Sequence, residues 1–223
     1  MDCLRPMPDN LEYYENVPPQ ELQKLSINAG LETCPDLEMI HPLIDNAKKI
    51  LEIGGGYGRT IDFLIKNNFK GLVDIIEPTD NFHAFLQNKY PHQFNIFKEL
   101  IQDFTPPSQY DLILWLWSNV VEFSPLMLKK IFKKLCLALE KNGVLVIETM
   151  REHIDPVGLE YKTAKTSLTR LQHGTLKSFN YTKNNIITLA QKSGLKILEI
   201  QDYALSSGRL RTLMLLTQAH TPI

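Results

Sequence analysis

The sequence predicts an α/β fold: a seven-stranded sheet with helices on both faces and an antiparallel last strand. Three observations carry that prediction. Short apolar runs of strand length alternate with stretches of helical character. A cluster of glycines follows the first run directly. The last two runs are joined only by the short link ALSSG.

The first predicted strand is KKILEI (48–53), followed by GLVDIIE (71–77), QFNIFK (93–98), DLILWLW (111–117) and GVLVIET (143–149). These runs are nearly continuous in apolar residues, as expected for strands covered on both faces. Between them lie helix candidates. Residues 59–68 follow the glycines, and 79–90 begin with Thr79 and Asp80 as candidate caps. Residues 124–140 open on Ser-Pro, a cap followed by proline at the first helical position. Strand, helix, strand in succession means a parallel sheet. A further helix over 181–194 has Thr182 as cap and Gly194 as stop, and then LKILEIQDY (195–203) and RLRTLMLLTQ (209–218) follow. A link as short as ALSSG permits only an antiparallel hairpin.

With 223 residues, 43% of them hydrophobic, the chain can bury one substantial core. No internal repeat and no linker marks a second one. Residues 1–46, with a helix-like stretch over 36–47, read as an N-terminal helical cap on a domain spanning 47–223, within which 151–181 is a candidate substrate lid. The 24 basic and 25 acidic residues nearly cancel, so no summed field draws the chain to nucleic acid or to an anionic membrane. Cys3, Cys34 and Cys136 are too far apart for a CxxC pair, and their odd number suits a reducing compartment. The start MDCLRPMPDN lacks the apolar core of a signal peptide. A cytoplasmic monomer or homodimer is expected. The six histidines show no metal-ligand spacing, so no metal site is expected.

The stretch KKILEIGGGYGRT (48–60) places a glycine-rich turn between a first strand and a first helix. Such a turn lets a ligand approach the backbone and meet free helix N–H groups, although a tight turn that only closes a core strand is the plain alternative. A dinucleotide fingerprint needs G-x-G-x-x-G, whereas here the spacing is Gly54, Gly56, Gly58, with Arg59 at the third dinucleotide position. Glu77, about twenty residues on, can accept hydrogen bonds from both hydroxyls of a ribose. That supports an adenosine ligand without choosing which one.

Glu52 stands two residues before Gly54, and E-x-G-x-G-x-G is similar to the first motif of the class I S-adenosylmethionine-dependent methyltransferases, whose fold is a Rossmann-like seven-stranded sheet closed by such a hairpin. The resemblance spans most of residues 46–218. It implies S-adenosyl-L-methionine as cofactor, held by Glu52, Gly54, Gly56 and Tyr57, with Arg59 pairing with its carboxylate. It implies Glu77, Pro78 and Thr79 at the adenosine, Ile101, Gln102 and Asp103 beside the adenine, and Leu116 facing the sulfonium.

A narrower resemblance lies in YYENVPP (13–19), IQDFTPPSQYDLILWLW (101–117) and KKLCLALEKNGVLVIE (133–148). These are similar to the methyltransferases of protein N-terminal α-amines. In that group a histidine stands where this chain has Val121, and an asparagine where it has Met150. Candidate acceptor-site residues are Trp117, Ser118, Asn119 and Glu122 after the fourth strand, and Glu148, Arg151, Glu152 and His153 after the fifth. Of these, Glu122, His153 and Trp117 are the candidate catalytic residues, and Tyr13, Asn119 and Tyr181 the candidate substrate contacts. The expected function is methyl transfer to a small-molecule nitrogen, oxygen or carboxylate. The alternatives are a peptide N-terminal amine as acceptor, or a silent cofactor-binding domain. A nicotinamide oxidoreductase loses on the glycine spacing and the hairpin.

Overall fold

The computed structural model describes residues 8–150, 159–162 and 165–219. Its centre is a seven-stranded sheet built from β1 (Lys49–Ile53), β2 (Leu72–Ile76), β3 (Asn95–Phe97), β4 (Tyr110–Trp115), β5 (Leu139–Met150), β9 (Leu195–Ala204) and β10 (Leu210–Gln218). The strands lie in the order β3-β2-β1-β4-β5-β10-β9. Pairings among β1 to β5 are parallel, and β10 runs antiparallel between β5 and β9. This is the predicted sheet, reversed strand included.

Burial on both faces explains the unbroken apolar runs. In β4 and the residues after it, Leu112, Leu114 and Leu116 enter one core, whereas Ile113 and Trp115 enter the other. The first core is covered by α3 (Pro35–Met39), α4 (His41–Asn46), α5 (Arg59–Lys66) and α6 (Asp80–Lys89), and the second by α7 (Pro125–Ala138) and α8 (Lys183–Gln191). Ser124 caps α7 by accepting from the Met127 N–H at 3.3 Å, with Pro125 at the first helical position. Thr182 and Asn185 form a reciprocal capping box at α8.

Several elements differ from the sequence reading. The third strand has three residues and not the run 93–98, because Phe94 precedes it outside the ladder. The helix-like stretch 36–47 is two short helices with Ile40 between them and Pro42 opening the second. Thr79 occupies the cap position of α6 but turns its hydroxyl back to Glu77. The free N–H groups of Asp80 and Asn81 go instead to Glu15 of α1 (Pro8–Asn16), at 2.7 and 3.3 Å. A second helix, α2 (Pro19–Ala29), completes the N-terminal segment.

Within 151–181, a second sheet of β6 (Leu159–Lys162), β7 (Thr166–Leu171) and β8 (Gly174–Phe179) stands apart from the first. Gln172 and His173 join β7 to β8, whose first residue, Gly174, lies at φ 146° beside the Tyr13 backbone. Packed against α1, this hairpin stands over the C-terminal edge of the main sheet.

Candidate functional site

A cavity of about 330 Å3 opens at the C-terminal ends of β1, β2, β4 and β5, beneath α1, α2 and the β7–β8 hairpin. It lies where the strand order reverses between β1 and β4, the usual ligand position in open α/β sheets.

Its floor is the glycine turn. Gly54 and Gly55 donate their N–H groups to the carbonyl of Ile76, which ties the turn to the end of β2. Gly54 has φ 81°, and a Cβ there would fall 2.7 Å from Asn119 Nδ2, so both backbone conformation and space require glycine. Gly58, at φ 87°, leaves room in the same way for the Tyr90 hydroxyl.

Glu77 is buried at the cavity edge. Its Oε2 accepts from the Gly56 N–H at 2.8 Å, and its Oε1 from the Thr79 N–H and hydroxyl at 3.1 and 2.6 Å. Burial pushes this carboxyl upward, and those three donors oppose the shift. A carboxylate offers about four acceptor positions, so these three donors leave one unused.

Arg59, the first residue of α5, is 9% exposed and reaches Asp36, which is fully buried. The pair is bidentate, at 2.7 and 2.6 Å. Burial works against the charge on Arg59, but Asp36 outweighs it and holds the guanidinium protonated. Glu52 has one buried carboxylate oxygen without a hydrogen-bond partner, and burial pushes it up to about 8, moderated by Thr60 and Arg59. At neutral pH it is mostly a neutral acid. At the end of β5, Glu148 forms a buried ion pair with Arg211 and accepts from Tyr203.

On the opposite wall, Trp117 and Ser118 take left-handed backbone angles, φ 57° and 60°, before a 3-10 turn over Asn119–Glu122. Ser118 donates its N–H to the Glu148 carbonyl and accepts from the Met150 N–H, which pins this turn to β5. Glu122 Oε1 accepts from Tyr14 at 2.8 Å and Oε2 from Asn10 at 3.0 Å. Burial pushes Glu122 up to about 7, moderated by those two donors.

The cavity lining thus brings together Tyr13, Glu52, Gly54, Gly56, Tyr57, Arg59, Glu77, Pro78, Thr79, Ile101, Leu116, Trp117, Asn119 and Glu122. Four predicted site residues lie elsewhere, one of them Glu148 in its ion pair with Arg211. The Gln102 amide is buried outside the lining without a hydrogen-bond partner, while Asp103 is exposed beside a neighbouring recess shared with Glu99. Tyr181 donates to the Phe123 carbonyl at 2.9 Å and packs behind the cavity wall. His153, with Arg151 and Glu152, lies outside the described residues. Asn10, Tyr14 and Asp36 contribute to the site without having been singled out as site residues. Lys134 does so indirectly, by donating to the carbonyls of Ile101, Gln102 and Phe104 behind the loop that follows β3. No local pattern marks these four, because each meets its partner from a distant part of the chain. Among the described residues, no group of three or more His, Cys, Asp and Glu is placed to hold a metal ion.

The sequence profile of the family described as AdoMet dependent proline di-methyltransferase matches residues 28–206. No curated protein sequence matches the chain. Among solved structures, an S-adenosylmethionine-dependent methyltransferase from Leishmania major is 18% identical, with a TM-score of 0.68 over 92% of this chain and 80% of that one. Another, from Clostridium acetobutylicum, is 14% identical, with a TM-score of 0.65 over 88% of this chain and 98% of that one. The glycopeptide N-methyltransferase MtfA, solved with S-adenosyl-L-homocysteine, is 9% identical, with a TM-score of 0.65 over 82% of this chain and 88% of that one. At these identities the likeness is one of fold.

Proposed function

Since the chain belongs to the AdoMet-dependent proline dimethyltransferase family, and so is an S-adenosylmethionine-dependent methyltransferase, we propose that its acceptor is a small-molecule amine enclosed against Glu122. The observation that carries this reading is the state of that carboxyl. It lines a largely apolar cavity, and both of its hydrogen-bond partners, Asn10 and Tyr14, are neutral. Among the described residues a carboxylate so placed has donors but no counter-ion, and a cationic amine supplies one.

The residues at the other end of the cavity fit the cofactor. Glu77 is pre-oriented with an acceptor position to spare for a ribose hydroxyl, and the absent Cβ of Gly54 lets the Asn119 amide close on the turn from the acceptor side. Pro78, Leu100 and Ile101 offer an apolar slot for a base. Arg59 stands beside the turn as a cation for the amino-acid end, although Asp36 already neutralises it. When bound, S-adenosylmethionine supplies the methyl group as an activated sulfonium. The chain's own contribution is to hold the acceptor beside Leu116 and Trp117, to exclude water beneath α1 and the β7–β8 hairpin, and to take a proton from the amine on Glu122. Positioning of this kind can supply up to ~7–11 kcal/mol of a barrier in the best cases. The 151–181 segment, which carries that hairpin, serves as the substrate lid in this reading.

A cofactor-site test is direct. Glu77→Ala is expected to weaken S-adenosylhomocysteine binding in calorimetry by ~1.5–3 kcal/mol, the contribution of one hydrogen bond to a charged group. An unchanged affinity would place the ribose elsewhere.

The second reading is the α-amine of a peptide N-terminus, for which the proline in the family's description speaks. Against it stand Val121 and Met150, apolar where the N-terminal-amine enzymes carry polar groups, because an amine buried without partners loses ~1–3 kcal/mol per missing hydrogen bond. The deciding experiment is a labelled-methyl assay run in parallel on peptides beginning with a small residue, proline and lysine, and on a deproteinised cell extract. Label is expected in the extract and little in the peptides. Efficient labelling of the peptides would replace the first reading with the second.

A further inference from the structure

Glu122 ends a single 3-10 turn, and a turn that short does little to fix a long carboxylate side chain. The fixing comes from 108 and 112 residues away. Asn10 is 1% exposed. Its amide donates to Glu122 Oε2 at 3.0 Å and to the Lys177 carbonyl of β8 at 2.9 Å, while its Oδ1 accepts the Lys177 N–H at 2.8 Å. Three of its four hydrogen-bonding positions are therefore used, and they join α1, β8 and the turn at one point. One helical turn on, the Tyr14 hydroxyl donates to Glu122 Oε1 at 2.8 Å.

We propose that Asn10 and Tyr14 are positioning residues for Glu122, so that α1 is a working part of the acceptor site as well as its roof. This rests on the proton-accepting role given to Glu122 above. Two donors aimed at the two carboxylate oxygens select one orientation and favour the ionised form over the neutral one. Charged groups on the surrounding elements include Glu12 and Glu15 of α1, Lys177 of β8, Glu77 after β2, Glu52 and Arg59 around the glycine turn, Glu148 of β5, and Arg209 and Arg211 at the start of β10. Of these, Glu77 acts on Glu122 in the opposite sense to the two donors, favouring the neutral acid. Tyr14 does not titrate in competition with Glu122, because burial, and then Glu122 itself, hold its hydroxyl far above the ordinary tyrosine range.

The test reads the carboxyl directly. The full chain, labelled with 13C at the glutamate side-chain carboxyl carbon, is titrated by NMR, with the Glu122 signal assigned by its absence in Glu122→Gln. Tyr14→Phe keeps the ring and removes one donor, and the Glu122 midpoint is expected to rise by about one pH unit, a tenfold change in its ionisation equilibrium. Asn10→Ala is expected to move it the same way. Should that variant fail to fold, Tyr14→Phe decides alone. A midpoint that stays in place or falls in Tyr14→Phe overturns the proposal. Failure of the proton-accepting role looks different. Undiminished methyl transfer by Glu122→Gln, with the midpoint still raised in Tyr14→Phe, keeps the positioning and removes the chemistry assigned to Glu122.

Discussion

Asp36→Ala is expected to lower the free energy of unfolding by about 3–5 kcal/mol, the range found when one member of a buried ion pair is removed. Asp36 is fully buried and Arg59 nearly so, and the two meet through two hydrogen bonds of 2.7 and 2.6 Å. Without Asp36 the guanidinium stays charged, since it cannot shed its proton at any ordinary pH. It also stays buried, because α5 begins at Arg59 directly after the glycine turn and cannot move away without dismantling that turn. For a chain of this size, about 2–4 °C of Tm accompanies each kcal/mol, so a fall of roughly 6–20 °C should follow. Denaturant unfolding of Asp36→Ala measures the loss. The double variant Asp36→Leu with Arg59→Met separates the causes. Replacing both charges by apolar groups is often close to neutral, so it should regain most of the stability. A loss below about 1 kcal/mol in Asp36→Ala would mean that water reaches the pair.

What could be read from the sequence, and what could not, divides along one line. Gly54 was legible because backbone geometry demands it locally. The β4 run was legible because burial on two faces leaves no polar alternation, and the reversed β10 because a link as short as ALSSG allows one topology. Arg59 was visible as a cation after the glycines, but its commitment to Asp36 was not, since the two stand 23 positions apart in the chain. The same holds for Asn10 and Tyr14 at Glu122, which meet only after α1 has crossed over the sheet. Thr79 shows how a local rule is overridden. Its hydroxyl serves Glu77 in the site, and Glu15 from α1 takes over the helix end. The β7–β8 hairpin was missed because its alternation is muted, with Leu168 and Leu176 spaced among Thr, Ser, Arg and Lys. The stretch QHG at their junction was its only mark.

Glu122→Gln is expected to reduce the rate of methyl transfer by roughly 10²–10⁴-fold, the usual contribution of a positioned base. Burial lifts the carboxyl to about 7, so it is ionised and able to accept a proton above that pH and protonated below it. Wild-type kcat/KM should therefore fall about tenfold per pH unit below 7, and the glutamine variant should lose that limb. Stability moves in the opposite direction. A carboxyl raised in the folded state binds more protons there than in the unfolded chain between the ordinary carboxylate range and about 7, so wild-type stability declines as pH rises through that window. Glu122→Gln removes this decline and should be the more stable protein at pH 8. A lower rate in a protein that is equally or more stable cannot be put down to misfolding. The measurement is a pH series of initial rates with the acceptor identified by the labelled-methyl assay, alongside thermal unfolding of both proteins. Full activity in the variant, or an acid limb that survives the substitution, would remove Glu122 from the proton path and leave it as a binding group for the amine.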